Sequence, residues 1–298
     1  VTMPPEKFLI LEQNFNLPVY IDAVGRHEEA FRKAFQAMLN GPNLVELDME
    51  GIKIDVRGPI DLAAAVPDSD SFSQRRVISN GQLSCVGGSN WDTEVFTSQA
   101  IYDPASRYEL RNVVNVANIP VGALIEGNGV GREVYVTDTD VAAGTIQISR
   151  ELYDAAGTQV FTFRRFKYML DFSGFSKLSK FAISNVDFQC RGEASGLILA
   201  KKGIGFHLRD AWITLPKDRG CTSVGEGCQG MMVDRCQFLS TETQKLVPDR
   251  TTIGINFNAN DVKIRNNRCT YFKHFAVVGG TSSIITANHI FQGDAADP

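Results

Sequence analysis

The chain has 298 residues, 43% of them hydrophobic and 21% charged, which excludes a disordered segment and suits one elongated domain or two compact ones. Thirty Lys and Arg against 34 Asp and Glu leave a net charge of −4, so no basic field exists to hold a nucleic-acid backbone and no such partner is expected. No apolar run approaches the roughly 20 residues of a spanning helix, so no membrane insertion is expected.

Val1 is not an initiator residue, and the opening VTMPPEKFLIL reads as strand already under way; GDAADP at the other end follows directly on a strand-like segment. The chain is therefore read as a fragment of a longer protein. Residues 27–40, HEEAFRKAFQAMLN, form the one convincing helix. Ala30, Phe31, Ala34, Phe35, Met38 and Leu39 fall on one apolar stripe at helical spacing. Glu28 and Glu29 suit the positive end of the helix dipole, and Gly41 suits its stop. Beyond it, short strands alternate with Gly, Asn, Asp and Ser.

Residues 109–166 read as a small antiparallel β-unit, a compact roll or barrel. The runs NVVNV, ALIEG, EVYVTD, TIQIS and QVFTF are punctuated by Gly127-Asn128-Gly129, Ala143-Gly144 and Ala156-Gly157. The string GNGVG has no helix after it, so it is a turn and not a nucleotide loop; no cofactor is expected. Arg164, Arg165 and Lys167 interleave with Phe163, Phe166 and Tyr168, which strand alternation explains, with aromatics inward and cations outward.

From residue 181 onward the sequence repeats. FAISNVDF, FHLRDAWI, MMVDRCQF, VKIRNNRC and SIITANHI align so that Ile183, Leu208, Val233, Ile264 and Ile285 share a column. Other columns hold Phe181, Phe206, Met231, Val262 and Ser283; Val186, Ala211, Cys236, Asn267 and Asn288; and Phe188, Ile213, Phe238, Cys269 and Ile290. Seventeen of these 20 positions are apolar, where a 43% composition would give about nine. The steps of 25, 25, 31 and 21 residues are solenoid repeat lengths, the longer one absorbing a loop. Strand alternation supplies the first inward pair; a tight turn shifts the phase for the second. Asn267 and Asn288 are adjacent in the turn column, where stacked Asn side chains hydrogen-bond along the axis and tolerate left-handed geometry. VISNGQL, with Ile78, Asn80 and Leu83, echoes the repeat before residue 109, so the 109–166 unit is an insertion.

The fold expected is all-β: a right-handed parallel β-helix with an N-terminal capping α-helix and a small inserted antiparallel β-domain. Its parts are 1–108, the start of the solenoid with the helix 27–40; 109–166, the insertion; and 167–298, further coils. The helix AFRKAFQAML, the strand-like LVELDMEGIKIDVRGPIDL and the I-x-x-N-x-φ cadence resemble the pectate-lyase-like superfamily, in particular its glycoside-hydrolase-28-related branch. That family includes polysaccharide lyases, hydrolases, and tail spikes and fibres of bacterial viruses. The insertion, with IPVGALIEGNGVGREVYV, is similar to small β-modules of viral tail proteins. The resemblance implies a polysaccharide partner, a trimer, and an extracellular, cell-surface or virion location. The family's Asp-Gly-x-x-Asp-Asp signature is missing, and no catalytic Asp cluster or lyase Arg motif matches residue by residue.

Glycosidic hydrolysis needs two carboxylates on one face, and a lyase needs a base with a cation. Asp218 and Glu226 on the 216–230 loop, with Asp249 and Arg250 on the 240–251 loop, are the catalytic candidates, because both loops precede the same strand of successive coils. Asp187, Trp212, Gln237, Arg268 and His289 share one outward column, a ridge on which a sugar could stack; Trp212, Asp187, Arg268 and His289 are the ligand-binding candidates. The four histidines have no metal-ligand spacing, and no metal is expected. Cys85, Cys190, Cys221, Cys228, Cys236 and Cys269 form no zinc or Cys-x-x-Cys pattern; buried free thiols are expected. Two functions follow: a glycan-binding shaft of a tail spike, fibre or surface protein, or a polysaccharide lyase or hydrolase with its site on the flank.

Overall fold

The computed structural model describes residues 14–293. The strand-like opening 1–11 and the residues after Gly293 lie outside the described residues.

Successive coils stack in parallel and build three sheets of 13, 6 and 4 strands. One coil runs through Phe181–Gln189 on the first sheet, Ser195–Ile198 on the second and Lys202–Ile204 on the third. The next repeats the circuit with His207–Arg209 and Trp212–Thr214, then Arg219–Thr222, then Glu226–Gln229. This is the expected parallel β-helix. Ile183 pairs with Leu208, Leu208 with Val233, Val233 with Ile264 and Ile264 with Ile285. The row continues back to Ile78 and Leu47. All of its members are buried except Ile285, 52% exposed because no further coil among the described residues lies over it. Leu83, Phe188, Ile213, Phe238 and Cys269 form the second buried row. Each fully buried side chain of this kind is worth about 1.5–3 kcal/mol, which makes the stacked rows the main source of cohesion.

The turn between the two strands of the first face has a fixed conformation. Asn80, Asn185, Asp210, Arg235, Asn266 and Ala287 all have φ between 50° and 57°. The left-handed position therefore falls one residue before Asn267 and Asn288, not on them. Those two side chains point inward and close the turn. Asn267 Oδ1 accepts the Cys236 N–H at 2.8 Å, and Asn288 Oδ1 accepts the Asn267 N–H at 3.0 Å. Each Asn also donates to a carbonyl of the coil before, Val233 or Ile264.

The helix His27–Asn40 forms where its stripe predicts, with all six stripe residues buried. Phe35 meets Phe172, Phe175 and Phe181 at ring separations of 6.2–6.4 Å, so the helix covers one end of the aromatic core. Gly41 has an ordinary φ of −78°; glycine is needed because a Cβ would stand 2.7 Å from the Leu44 side chain and 2.9 Å from the Ala37 carbonyl. A second helix, Leu17–Val24, was not anticipated; it begins with Pro18 in its first turn and ends at left-handed Gly25.

An antiparallel six-stranded sheet leaves the solenoid at the corner between the first and second faces. Its pairing begins earlier than the expected residue 109. Glu94–Tyr102 pairs along its whole length with Gly157–Arg165. Its inward positions are Phe96, Ser98, Ala100 and Tyr102, and the small residues at 98 and 100 interrupt the apolar alternation. NVVNV is no strand; Val113 and Val116 are buried in a turn region after Glu109–Arg111. In the GNGVG string Gly129 is left-handed, and a Cβ there would stand 1.9 Å from the Asp154 carbonyl.

Arg165 departs from the outward expectation. It lies buried at the junction, donates to Asp171, Ser173 and the Phe166 carbonyl, and sits 5.7 Å from the Tyr168 ring. All six cysteines are free and buried.

Candidate functional site

Strand alternation sends every second side chain of the first sheet outward. Gln82, Asp187, Trp212, Gln237, Arg268 and His289 fall in direct register along one such column. Adjacent members are one strand spacing apart, about 4.8 Å. Trp212 is 48% exposed, Arg268 and His289 are exposed, and Asp187 and Gln237 are half-buried. Gln82 reaches Asp187 Oδ2 at 3.5 Å. The next outward positions, Gln189 and Thr214, join Asp187, Trp212, Arg191 and Leu215 around a groove of about 270 Å³. Left-handed Leu215, with φ 54°, turns the chain away at the groove's end. An indole flanked by a carboxylate, an amide and a guanidinium can stack on the apolar face of a sugar ring while its hydroxyls find acceptors and donors. Gln189 and Thr214 were missed in the sequence, although they stand two residues after Asp187 and Trp212 and period-2 alternation points them the same way.

Asp218, Glu226, Asp249 and Arg250 do not gather into one cluster. Asp218 ends the corner before Arg219–Thr222 on the second sheet, and Glu226 starts Glu226–Gln229 on the third. A whole strand and a corner separate them, and exposed Glu226 faces a different cleft. Asp249 is exposed on the short turn Val247–Asp249. Arg250 is fully buried, donates to Lys245 O, Gln292 Oε1 and Gly293 O, and lies 5.4 Å from the Tyr271 ring. Its donors are spent on the chain itself.

Asp218 is the unusual member. Its Oδ2 is buried with no hydrogen-bond partner. Burial pushes its pKa up, Glu242 adds to the rise, and Arg219, Lys217 and Arg164 oppose it. Glu242 is buried too, but it accepts from both N–H and both O–H groups of Thr251 and Thr252 and pairs with Lys245 at 2.8 Å. Burial would raise its pKa; these donors outweigh that and hold it below the usual carboxylate range.

Beside Asp218, the antiparallel unit is clamped to the solenoid. Arg219 Nη2 and Nε donate to Glu133 Oε1 and Oε2 at 2.8 and 3.1 Å, and the Tyr135 hydroxyl donates to Glu133 at 2.5 Å. Arg219 also lies 4.8 Å from the Phe166 ring. Nothing in the spacing of residues 133 and 219 announced this pair.

No family model matches the chain. No curated protein matches it. Among solved structures, the chain is similar to the Gp54 tailspike of Acinetobacter baumannii bacteriophage AP22, in complex with A. baumannii capsular saccharide, at 11% identity and a TM-score of 0.21. That alignment covers 97% of this chain and 70% of the tailspike chain.

Proposed function

We propose that this chain is a polysaccharide-facing β-helix that binds a bacterial glycan along the Gln82–His289 ridge, as part of a tail spike, fibre or cell-surface protein. The carrying observation is Trp212, half-exposed at the centre of an in-register row of polar side chains. The row advances by one strand spacing per coil, so an extended polymer laid along it meets a new outward side chain at each step. A virion or extracellular location and a trimer belong to the same reading.

Cleavage is the weaker reading. A raised-pKa carboxyl such as Asp218 could donate a proton, but hydrolysis needs a second carboxylate free to act across the bond. Glu242, whose charge bears on Asp218, is consumed by its own donors.

The chain has two tryptophans, and Trp91 is fully buried, so acrylamide quenching of fluorescence reports on Trp212. Against a panel of purified bacterial capsular and O-chain polysaccharides, a binding member should protect Trp212 from quenching. Trp212→Ala should weaken that binding about tenfold or more, as for a buried-on-binding Trp anchor. Binding that survives Trp212→Ala undiminished, or a panel with no binding member, overturns the proposal.

A further inference from the structure

A second concave surface lies away from the ridge, where the antiparallel unit meets the second and third faces of the solenoid. It is a cleft of about 490 Å³. Tyr108, Asp138 and Gln147 line one wall, and Lys201, Lys202 and Glu226 line the other. Lys201 Nζ reaches across to Asp138 Oδ1 at 3.3 Å and ties the walls together. Gly225 lies where the walls meet; a Cβ there would stand 2.9 Å from the Lys201 carbonyl and 3.6 Å from Thr137 Cγ2. Glycine at 225 therefore lets adjacent coils of the solenoid wall stack against Lys201, while the antiparallel unit stays at ordinary contact distance across the cleft.

The cleft's chemistry is that of a polyol site. Tyr108 is 54% exposed and offers a ring face. Lys202 and Glu226 are in direct register on adjacent coils, both exposed, and give a donor and an acceptor side by side. Gln147 offers an amide, although its Nε2 also donates to Glu109 at 3.0 Å. Asn258, also in the lining, donates through Nδ2 to the Ser223 carbonyl at 2.9 Å, and its buried Oδ1 has no partner. Two lysines balance two carboxylates, so the cleft does not select an anion or a cation. Neutral hydroxyl-bearing rings fit this balance best.

We propose that this cleft is a second glycan-binding subsite, seating neutral sugar residues of the polymer against Tyr108 between the antiparallel unit and the solenoid. It rests on the glycan-binding reading, but on different residues. Two separated contacts on one polymer raise affinity by making the second contact intramolecular. The insertion then has a role in ligand capture, which its attachment through Glu133 and Arg219 keeps in register with the coils.

Tyrosine nitration by tetranitromethane separates this proposal from the ridge. Tyr108 and Tyr153 are both exposed, and Tyr153, 89% exposed outside the cleft, is the internal control. The full chain is nitrated with and without each polysaccharide of the same panel, and each tyrosine is read by peptide mass spectrometry. The expected result is several-fold protection of Tyr108, none of Tyr153, and a 3- to 10-fold loss of affinity in Tyr108→Ala, about what one aromatic contact contributes. Glu226→Gln, on the opposite wall, should also weaken binding, with the unfolding midpoint unchanged. Protection of Trp212 without protection of Tyr108 overturns the subsite and leaves the ridge. Protection of Tyr108 without Trp212 leaves the subsite and overturns the ridge. Equal protection of Tyr108 and Tyr153, or of neither residue with every polysaccharide, overturns the subsite.

Discussion

Glu133 and Arg219, 86 residues apart, form a two-pronged ion pair whose side chains are 5% and 8% exposed. One belongs to the antiparallel unit and the other to a solenoid strand, so the pair fixes how the two pack. A buried pair is costly to desolvate, and its value appears when one partner is removed. Glu133→Gln should lose about 3–5 kcal/mol, because the Arg219 charge would stay buried without its counter-charge. Glu133→Leu with Arg219→Met should lose less. Urea denaturation of the three proteins checks this; a single substitution costing under about 1 kcal/mol contradicts the clamp.

The stacked rows make a graded prediction. Leu208→Ala removes a fully buried side chain between Ile183 and Val233 and should cost about 2–5 kcal/mol. Ile285→Ala, in the same row but half-exposed, should cost under about 1 kcal/mol. Asn267→Ala should cost about 1–3 kcal/mol, since the Cys236 N–H is left buried without an acceptor. Equal costs at 208 and 285 would show that the row is not stacked as described.

The thiols should be inert. Burial pushes Cys85 up to about 11 and Cys236 up to about 12, and raises the other four as well. Thiolate, the reactive form, is therefore scarce near neutral pH, and the sulfurs are screened from reagent. Ellman's reagent should label almost none of the six in the native protein and all six in denaturant. Rapid native labelling of Cys228 or Cys236 would contradict the burial.

Asp218 sets a pH dependence whose sign is fixed by its raised pKa. In the folded chain it binds its proton more tightly than in the unfolded chain, where its pKa is about 3.9. Its contribution to stability is thus full below that value and is lost as pH rises through the folded pKa. Asp218→Asn should raise the unfolding midpoint at pH 7 and lose that advantage near pH 3. Thermal melts at both values decide it, and a variant less stable at pH 7 would show that the carboxylate is held by a favourable partner.

The residues by themselves specified the coil. Inward positions at 183, 208, 233 and 264, and the outward positions 187, 212, 237 and 268, follow from strand alternation and a turn phase repeated from coil to coil, both local properties. The apolar stripe of 27–40 likewise needed only its own spacing. Tertiary structure alone decided the rest. How far Asp218 stands from Glu226 depends on the bend between two sheets, and the consumption of Arg250 depends on Gln292 and Gly293 arriving from another coil. The Glu133–Arg219 clamp and the cleft beside Tyr108 arise where distant segments dock. Periodicity records which way a side chain faces along its own strand; it carries no record of what another part of the chain will bring against it.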